Sequence, residues 1–252
     1  MGTVANFEGD AERQVAAARE AVEALDETPE GPGWFYLTNL GGALIQAAER
    51  TEAKAVLDRA LLATVGDLEG WASVSVNLAL LASDLGETDD ALRHGKNGLE
   101  GFLQLHGPSH LHTLDAQRIY GTALIETDPS AAIVELERVL EGEIRIDPTS
   151  IDAAFARENL AKALTEAGDL ERAEAEVLRA ITQLDDSQGS RQSGVAICWA
   201  RLGDIRERRG NEAGAKEAYA RALALASGND RLSESIRENL AEGTEFVSMP
   251  PP

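Results

Sequence analysis

A pattern of small and apolar residues repeats along the chain about every forty residues. A three-residue phrase occurs six times; four copies read Asn-Leu followed by Gly or Ala, and two weaker copies fill the gaps. The copies begin at residues 39, 77, 119, 159, 201 and 239. Spacings of 38 to 42 residues indicate a tandem repeat, in which each unit packs only on its neighbours.

A second pattern follows each of the first five phrases and predicts a second helix. The pattern has three positions: a small residue, a second residue four positions later, and a small or apolar residue three positions after that. These offsets place all three residues on one helical face. The triplets are Ala53, Leu57 and Ala60; Ala91, Gly95 and Gly98; Ala132, Leu136 and Val139; Ala173, Val177 and Ala180; and Ala215, Tyr219 and Ala222. Because 13 or 14 residues separate the two patterns, each unit is predicted to be a hairpin of two helices.

Turn residues fall between the two helices of the predicted hairpins. Gly86, Gly168 and Gly210 lie between the two patterns of their units, where glycine readily ends a helix. In the third unit we predict Asp128 as the N-cap and Pro129 as the first residue of the second helix. All prolines fall outside the predicted helices, and no alternating pattern typical of strands remains. The prediction is therefore an all-α fold.

Charge narrows the partners that we expect. Asp and Glu outnumber Lys and Arg by 44 to 23, and the formal net charge is -21. Nucleic acids and anionic membranes are therefore disfavoured as partners, whereas a basic protein segment would be attracted. The alternative is that the charge serves only to keep the protein soluble. Residues 1–10 lack the basic and apolar segments of a secretory signal, and the single cysteine allows no disulfide framework, so we expect a cytoplasmic protein.

The residues at the repeated positions resemble the tetratricopeptide repeat. The fifth unit is the most similar, and its signature positions hold Trp199, Leu202, Gly203, Ala215, Tyr219 and Ala222. The long repeat is similar to the variety found in kinesin light chains and bacterial signalling proteins. The third unit departs from the pattern with Tyr120 in the Leu position. The second departs with Gly95 and Gly98, which predict a poorly packed second helix.

The resemblance implies a right-handed α-α superhelix, which is a solenoid of about five helical hairpins with a capping helix at each end. We predict a capping helix and linker at 1–33, with the helix at 10–25, a repeat domain at 34–242 and a flexible tail at 243–252. The predicted units lie near 34–71, 72–113, 114–153, 154–195 and 196–233, followed by a half-repeat at 234–242. Val15, Ala18, Val22 and Leu25 form one apolar stripe that suits a cap on the first unit.

The asparagines that precede the core leucine are the main candidates for a binding site. First helices line the concave side of such solenoids, which is their usual binding surface. Asparagine is unfavourable inside a helix, yet its amide both donates and accepts hydrogen bonds. The resemblance implies that a row of them binds the backbone of an extended peptide, here Asn39, Asn77, Asn159 and Asn239. The alternative is that these residues only fix the stacking of neighbouring helices.

Residues one turn before and after this row are expected to select a partner's side chains. The predicted peptide-binding groove therefore also includes Phe35, Gln46, Asp84, Arg118, Glu126, Phe155, Lys162, Arg201, Asp204 and Arg208. Further candidates nearby are Thr38, Gly42, Ser73, Leu80, Thr122, Glu158 and Glu166. Phe35 and Phe155 are either apolar anchors or ordinary core residues.

No catalytic site, metal site or cofactor is predicted. His106, His110 and His112 have spacings at which three ligands could meet a zinc ion, but they overlap a repeat-like segment in which the resemblance implies a histidine without metal. Cys198 lies beside Trp199 and is expected to be a packed thiol. The chain carries neither a nucleophile elbow nor a phosphate loop, so we do not expect an enzyme.

The function predicted from the sequence is that of an adaptor or scaffold whose groove holds an extended segment of another protein. Two alternatives stay open. One is a regulatory receptor for a short signalling peptide, as in some bacterial relatives of the long-repeat variety. The other is self-assembly through the glycine-rich second unit or the tail, which would give a homo-oligomer.

Overall fold

The computed structural model describes residues 4–27, 33–185, 192–226, 233–234 and 236–237. Eleven α-helices and no strands are found in these ranges, which confirms the predicted all-α class. The chain divides into two compact units, Val4–Thr127 and Asp128–Pro252. Among the helices of the described ranges we find none with the length and apolar character that spanning a bilayer requires.

The first unit contains six of these helices. They are α1 (Val4–Glu27), α2 (Gly33–Gln46), α3 (Arg50–Leu62), α4 (Leu68–Asp84), α5 (Thr88–His106) and α6 (Leu111–Leu124). Hairpins form between α2 and α3 and between α4 and α5, while α4 also contacts α2 and α6. α1 packs on α2, and its Val15 and Val22 join a core with Leu37 and Leu44. Val15, Ala18 and Val22 of the predicted apolar stripe thus face the first hairpin, and the side chain of Leu25 lies outside the described part of the structure. α1 begins six residues earlier than expected.

The second unit contains the other five helices. They are α7 (Pro129–Ile146), α8 (Ile151–Glu166), α9 (Leu170–Asp185), α10 (Gln192–Arg208) and α11 (Glu212–Leu225). α8 pairs with α9 and α10 with α11, and α8 and α10 contact each other. Ala196 on α10 packs with Tyr219 and Ala222 on α11, and Ile236 from the predicted half-repeat closes this core.

Four of the turns between helices share one pattern of backbone hydrogen bonds. In each turn one residue has positive φ, and the next residue donates its N–H to the carbonyl five positions earlier at 2.8 to 2.9 Å. A glycine occupies the positive-φ position in three turns, as predicted: Gly86, Gly168 and Gly210. In the first hairpin the position holds Ala48, with φ of 61°. Because this conformation is unfavourable for a residue with a Cβ atom, the first turn carries strain that the other three avoid.

Side-chain caps begin several helices. Asp128 accepts the backbone N–H three residues on at 3.0 Å, and Pro129 is the first residue of α7, as predicted. Asp67 caps α4 by accepting the N–H of Gly70 at 2.9 Å, and its other oxygen accepts the indole N–H of Trp34 at 2.7 Å. These bonds, the one from Gly70 first, lower the pKa of Asp67.

The second helix of the second repeat is closely packed, so the prediction of poor packing was wrong. Gly95 and Gly98 are both buried on α5. A Cβ atom at Gly98 would come within 2.6 Å of Val76 on α4, and one at Gly95 would lie 3.2 Å from the backbone of Tyr120 on α6. Because these two positions have no side chains, α5 packs closer to α4 and α6. The glycines therefore allow close helix packing and do not leave a cavity.

Candidate functional site

The groove residues predicted on α2 lie along one side of that helix, at intervals of three and four residues. Phe35 is 48% exposed, and Asn39 and Gln46 are exposed as well. Thr38 is buried, and its hydroxyl donates to the carbonyl oxygen of Trp34 at 2.6 Å. α2 thus presents one aromatic ring and two amides to solvent, and at this exposure Phe35 is not a core residue.

Asn77 on α4 lies against α2 at Gly42. Its Nδ2 donates to the carbonyl oxygen of Ser73 at 3.1 Å. A Cβ atom at Gly42 would lie 3.1 Å from the Oδ1 atom of Asn77, so the missing side chain leaves room for the amide. Asn77 therefore contributes to helix stacking, and its amide still has a second N–H. We call the surface formed by Phe35, Asn39, Gln46, Asn77 and the 36% exposed Leu80 the α2–α4 face.

Two of the three charged candidates of the first unit, Asp84 and Arg118, are paired within the protein. Asp84 accepts hydrogen bonds from Nε and Nη2 of Arg50 on α3, at 2.5 and 3.1 Å, and this pairing raises the pKa of Arg50. Arg118 pairs with Asp115 three residues earlier on α6. Glu126 is exposed just after α6. Partly exposed pairs of this kind contribute little stability, but they do neutralise charge along the surface.

Ion pairs cross between α8 and α10 in the second unit. Nε of Arg201 lies 3.1 Å from Oε1 of Glu158, and the two side chains are only 21% and 11% exposed. Arg208 lies 2.9 Å from Glu166 and 3.0 Å from Asp204. Burial lowers the pKa of Arg208, but its two carboxylate partners raise it overall. The candidates Arg201, Asp204 and Arg208 are thus brought together, with each other and with carboxylates of α8.

The other candidates of the second unit lie on α8. Asn159 and Lys162 are half-buried, and Phe155 is 37% exposed. A Cβ atom at Gly194 on α10 would lie 3.2 Å from the Phe155 ring, so this ring partly covers the neighbouring helix. Asn239, the last member of the predicted row, lies outside the described residues.

The sequence analysis did not identify the partners of the charged candidates. Arg50 and Asp84 are 34 residues apart, and Glu158 and Arg201 are 43 residues apart. Successive repeats place equivalent positions side by side. Opposite charges separated by about one repeat length are therefore a sequence signal for the pair of Glu158 and Arg201, whereas the 34 residues between Arg50 and Asp84 are shorter than the repeat and carry no such signal.

The single cysteine is a packed thiol, as predicted. Cys198 is fully buried on α10, and burial, followed by the nearby carboxylate of Glu158, raises its pKa to about 12. A thiol with this pKa is protonated near neutral pH and is a poor nucleophile.

The fifth repeat is recognised by a family model. Residues 196–229 match the model of the tetratricopeptide repeat. In this stretch a Cβ atom at Gly203 would come within 2.7 Å of the Tyr219 ring, which is the close contact between first and second helices that the signature residues provide. No curated protein matches the chain by sequence.

Solved structures share the fold over most of the chain. BtubC (BKLC) from P. vanneervenii is 17% identical with a TM-score of 0.65, over 91% of this chain and 93% of that one. A Rap protein complexed with Competence and Sporulation Factor is 15% identical with a TM-score of 0.72, over 91% and 68%. TPR-like repeats of a Podosopora anserina protein described as a kinesin light chain are 15% identical with a TM-score of 0.60, over 77% and 95%. At these identities the likeness shows the fold alone, which is that of a tetratricopeptide-repeat solenoid, and the family model identifies one such repeat in the sequence, at residues 196–229.

Proposed function

We propose that the protein is a binding module, not an enzyme, and that its α2–α4 face holds an extended segment of another protein. The observation that carries the proposal is the exposure of Phe35 and Asn39 on α2 beside the oriented amide of Asn77 on α4. An asparagine amide accepts from a peptide N–H and donates to a peptide carbonyl, whatever the neighbouring side chains are. An extended segment offers these backbone groups unpaired.

The distance between packed helices suits such a segment. Helix axes in contact lie about 8–10 Å apart, and an extended chain advances about 3.3 Å per residue. Asn39 and Asn77 would therefore meet backbone groups about three residues apart on a segment that crosses both helices. Phe35 and Leu80, which are both exposed, would add apolar contacts with its side chains.

Charge is proposed to favour a basic segment. The net charge of -21 attracts cationic partners at long range, Gln46 is a polar member of the α2–α4 face, and Glu126 is an exposed carboxylate just after α6. In the second unit, Phe155, Asn159 and Lys162 lie on α8 beside the ion pairs of Arg201, Asp204 and Arg208, and we propose a further contact surface there. Association should therefore slow as salt screens the attraction.

A receptor for a short signalling peptide is the second candidate function, because a Rap protein with the same fold is complexed with Competence and Sporulation Factor. A small ligand would then copurify with the native protein and be detected by mass spectrometry after denaturation. Self-assembly is a further alternative, which sedimentation over a range of concentrations tests directly. A monomer mass at every concentration would contradict it.

Selection of random phage-displayed peptides against the full-length protein tests the main proposal. Affinities of the selected peptides are then measured by fluorescence anisotropy for the wild type, Asn39→Ala and Asn97→Ala. Asn97 is a matched control, since it lies on the second helix of a hairpin, α5. We expect Asn39→Ala to weaken binding about tenfold, or ~1.4 kcal/mol, which is the net contribution of one or two hydrogen bonds. The control variant should bind like the wild type.

Peptides with a methyl group on one backbone nitrogen separate backbone recognition from side-chain recognition. Methylation at the position that meets Asn39 removes the N–H and should weaken binding by a similar factor. Equal affinities for the wild type, Asn39→Ala and Asn97→Ala would contradict the proposal. Circular dichroism and melting curves of each variant show whether a loss of binding reflects unfolding.

A further inference from the structure

Three of the four histidines in the chain meet at the corner between α5 and α6. His106 is the last residue of α5, His110 is the N-cap of α6, and His112 lies in the first turn of α6. Each of them offers a ring nitrogen, and these three atoms all lie within 4.8 Å of one another. The rings are exposed, so the cluster is open to ions from solvent.

A buried contact holds the two helix ends that carry these histidines. Phe102 is buried on α5, and its ring centroid lies 5.9 Å from that of His106 and 5.3 Å from that of His112. Thr113 is fully buried on α6, and its hydroxyl donates to the carbonyl oxygen of Phe102 at 3.2 Å. The backbone positions of the cluster are therefore set by the core, and only the exposed rings need to turn on binding an ion.

The separations are close to those that a tetrahedral ion requires. Zinc binds imidazole nitrogen at about 2.0–2.1 Å, which places two ligand nitrogens roughly 3.4 Å apart. Rotation of the exposed rings moves their nitrogens towards one another and closes the remaining distance, which is at most about 1.4 Å for each pair. Nδ1 of His110 accepts the backbone N–H of His112 at 3.3 Å, a long bond that an ion at this nitrogen would replace with little loss.

We propose that His106, His110 and His112 bind one divalent transition-metal ion of the zinc class, with one coordination position left open. Three imidazoles without a thiolate suit zinc, cobalt, nickel or copper ions, whereas magnesium and calcium require oxygen ligands. The net charge of -21 raises the local concentration of cations. Since the ligands come from the end of α5 and the start of α6, the ion stabilises the contact between these helices.

Titration of the untagged full-length protein with Co²⁺ and Zn²⁺ tests this site. Tetrahedral Co²⁺ gives an intense visible absorption, and equilibrium dialysis counts the Zn²⁺ bound. We expect one ion per chain and a higher melting temperature with Zn²⁺ present. His106→Ala and His110→Asn should each weaken binding at least about tenfold, because each removes one of three ligands. Asparagine at position 110 keeps a cap for α6.

His94→Gln is the matched control, since His94 is the fourth histidine and lies more than three turns before His106 on the same helix. The control should retain wild-type affinity and absorption. Affinities that are equal in the wild type and His106→Ala would overturn the proposal, as would the weak absorption of hexahydrated Co²⁺ at saturation. Melting curves of the metal-free variants distinguish the loss of a ligand from a loss of folding.

Discussion

Arg201 on α10 pairs with Glu158 on α8 at 3.1 Å. Arg201 holds the position of the fifth repeat that Asn39 and Asn77 hold in the first two. On α2 this place presents an exposed amide, and on α4 the amide lies against the neighbouring helix at Gly42. On α10 the same place holds a largely buried cation, whose partner comes from the previous first helix. One position of the repeat is therefore exposed to solvent in one unit and serves helix stacking in another.

Removal of Glu158 tests how much this pair stabilises the second unit. We expect Glu158→Ala to lower the free energy of unfolding by about 1–3 kcal/mol, because Arg201 then keeps only its longer pair with Asp204, at 3.8 Å, in a place with little solvent. The matched control is Glu217→Ala, which breaks the exposed pair with Arg221 and should change stability by less than about 0.5 kcal/mol. Urea unfolding of Glu158→Ala, Arg201→Ala and the double variant gives the coupling energy. Equal losses in Glu158→Ala and the control Glu217→Ala would contradict the expectation.

Relief of the strained first turn should stabilise the protein. Ala48 has φ of 61°, where glycine occupies the three equivalent turns. We expect Ala48→Gly to raise the free energy of unfolding by about 0.5–1 kcal/mol, since the gain from removing the Cβ atom exceeds the entropy lost by glycine. Gly168→Ala, the reverse change in an equivalent turn, should lower it by about 1 kcal/mol. Thermal unfolding measures both, and a loss of stability in Ala48→Gly would show that the turn is not strained.

Because Asp67 caps α4, the stability of the first unit should depend on pH in the acid range. Because the pKa of Asp67 is lowered in the folded state, its stabilising effect is complete above the unfolded value of about 3.9 and is lost as pH falls through the lower folded value. At pH 7 we expect Asp67→Ala to lower the free energy of unfolding by about 1–2 kcal/mol, the usual contribution of a cap. The difference from the wild type should narrow below about pH 4.

Asp67→Asn is the control for this prediction. Asparagine keeps an acceptor for the N–H of Gly70 or for the indole of Trp34 but does not titrate. Its stability relative to Asp67→Ala should therefore stay constant across the acid range. Denaturant unfolding at a series of pH values measures all three proteins, and a wild-type advantage that persists unchanged to pH 2 would contradict the assignment.

The sequence by itself determined the repeat length, the helical hairpins and most of the turns. These features depend on residues within one or two helical turns of each other: the 4–3 spacing of Ala215, Tyr219 and Ala222, the glycine at positive φ in Gly86, and the cap and first residue of α7 at Asp128 and Pro129. Local spacing and backbone preference act before distant parts of the chain meet, so they can be predicted without a structure.

Only the tertiary structure decided what the repeated positions contact. Gly98 was predicted to loosen α5 and instead brings it against Val76, because the shape of the facing helix decides whether a missing side chain leaves a cavity. Arg201 and Glu158 lie 43 residues apart, and His106 and His112 lie on two different helices. The packing of the helices sets their distances and their exposure to water, and these two quantities determine the strength of an ion pair and whether imidazoles can share an ion.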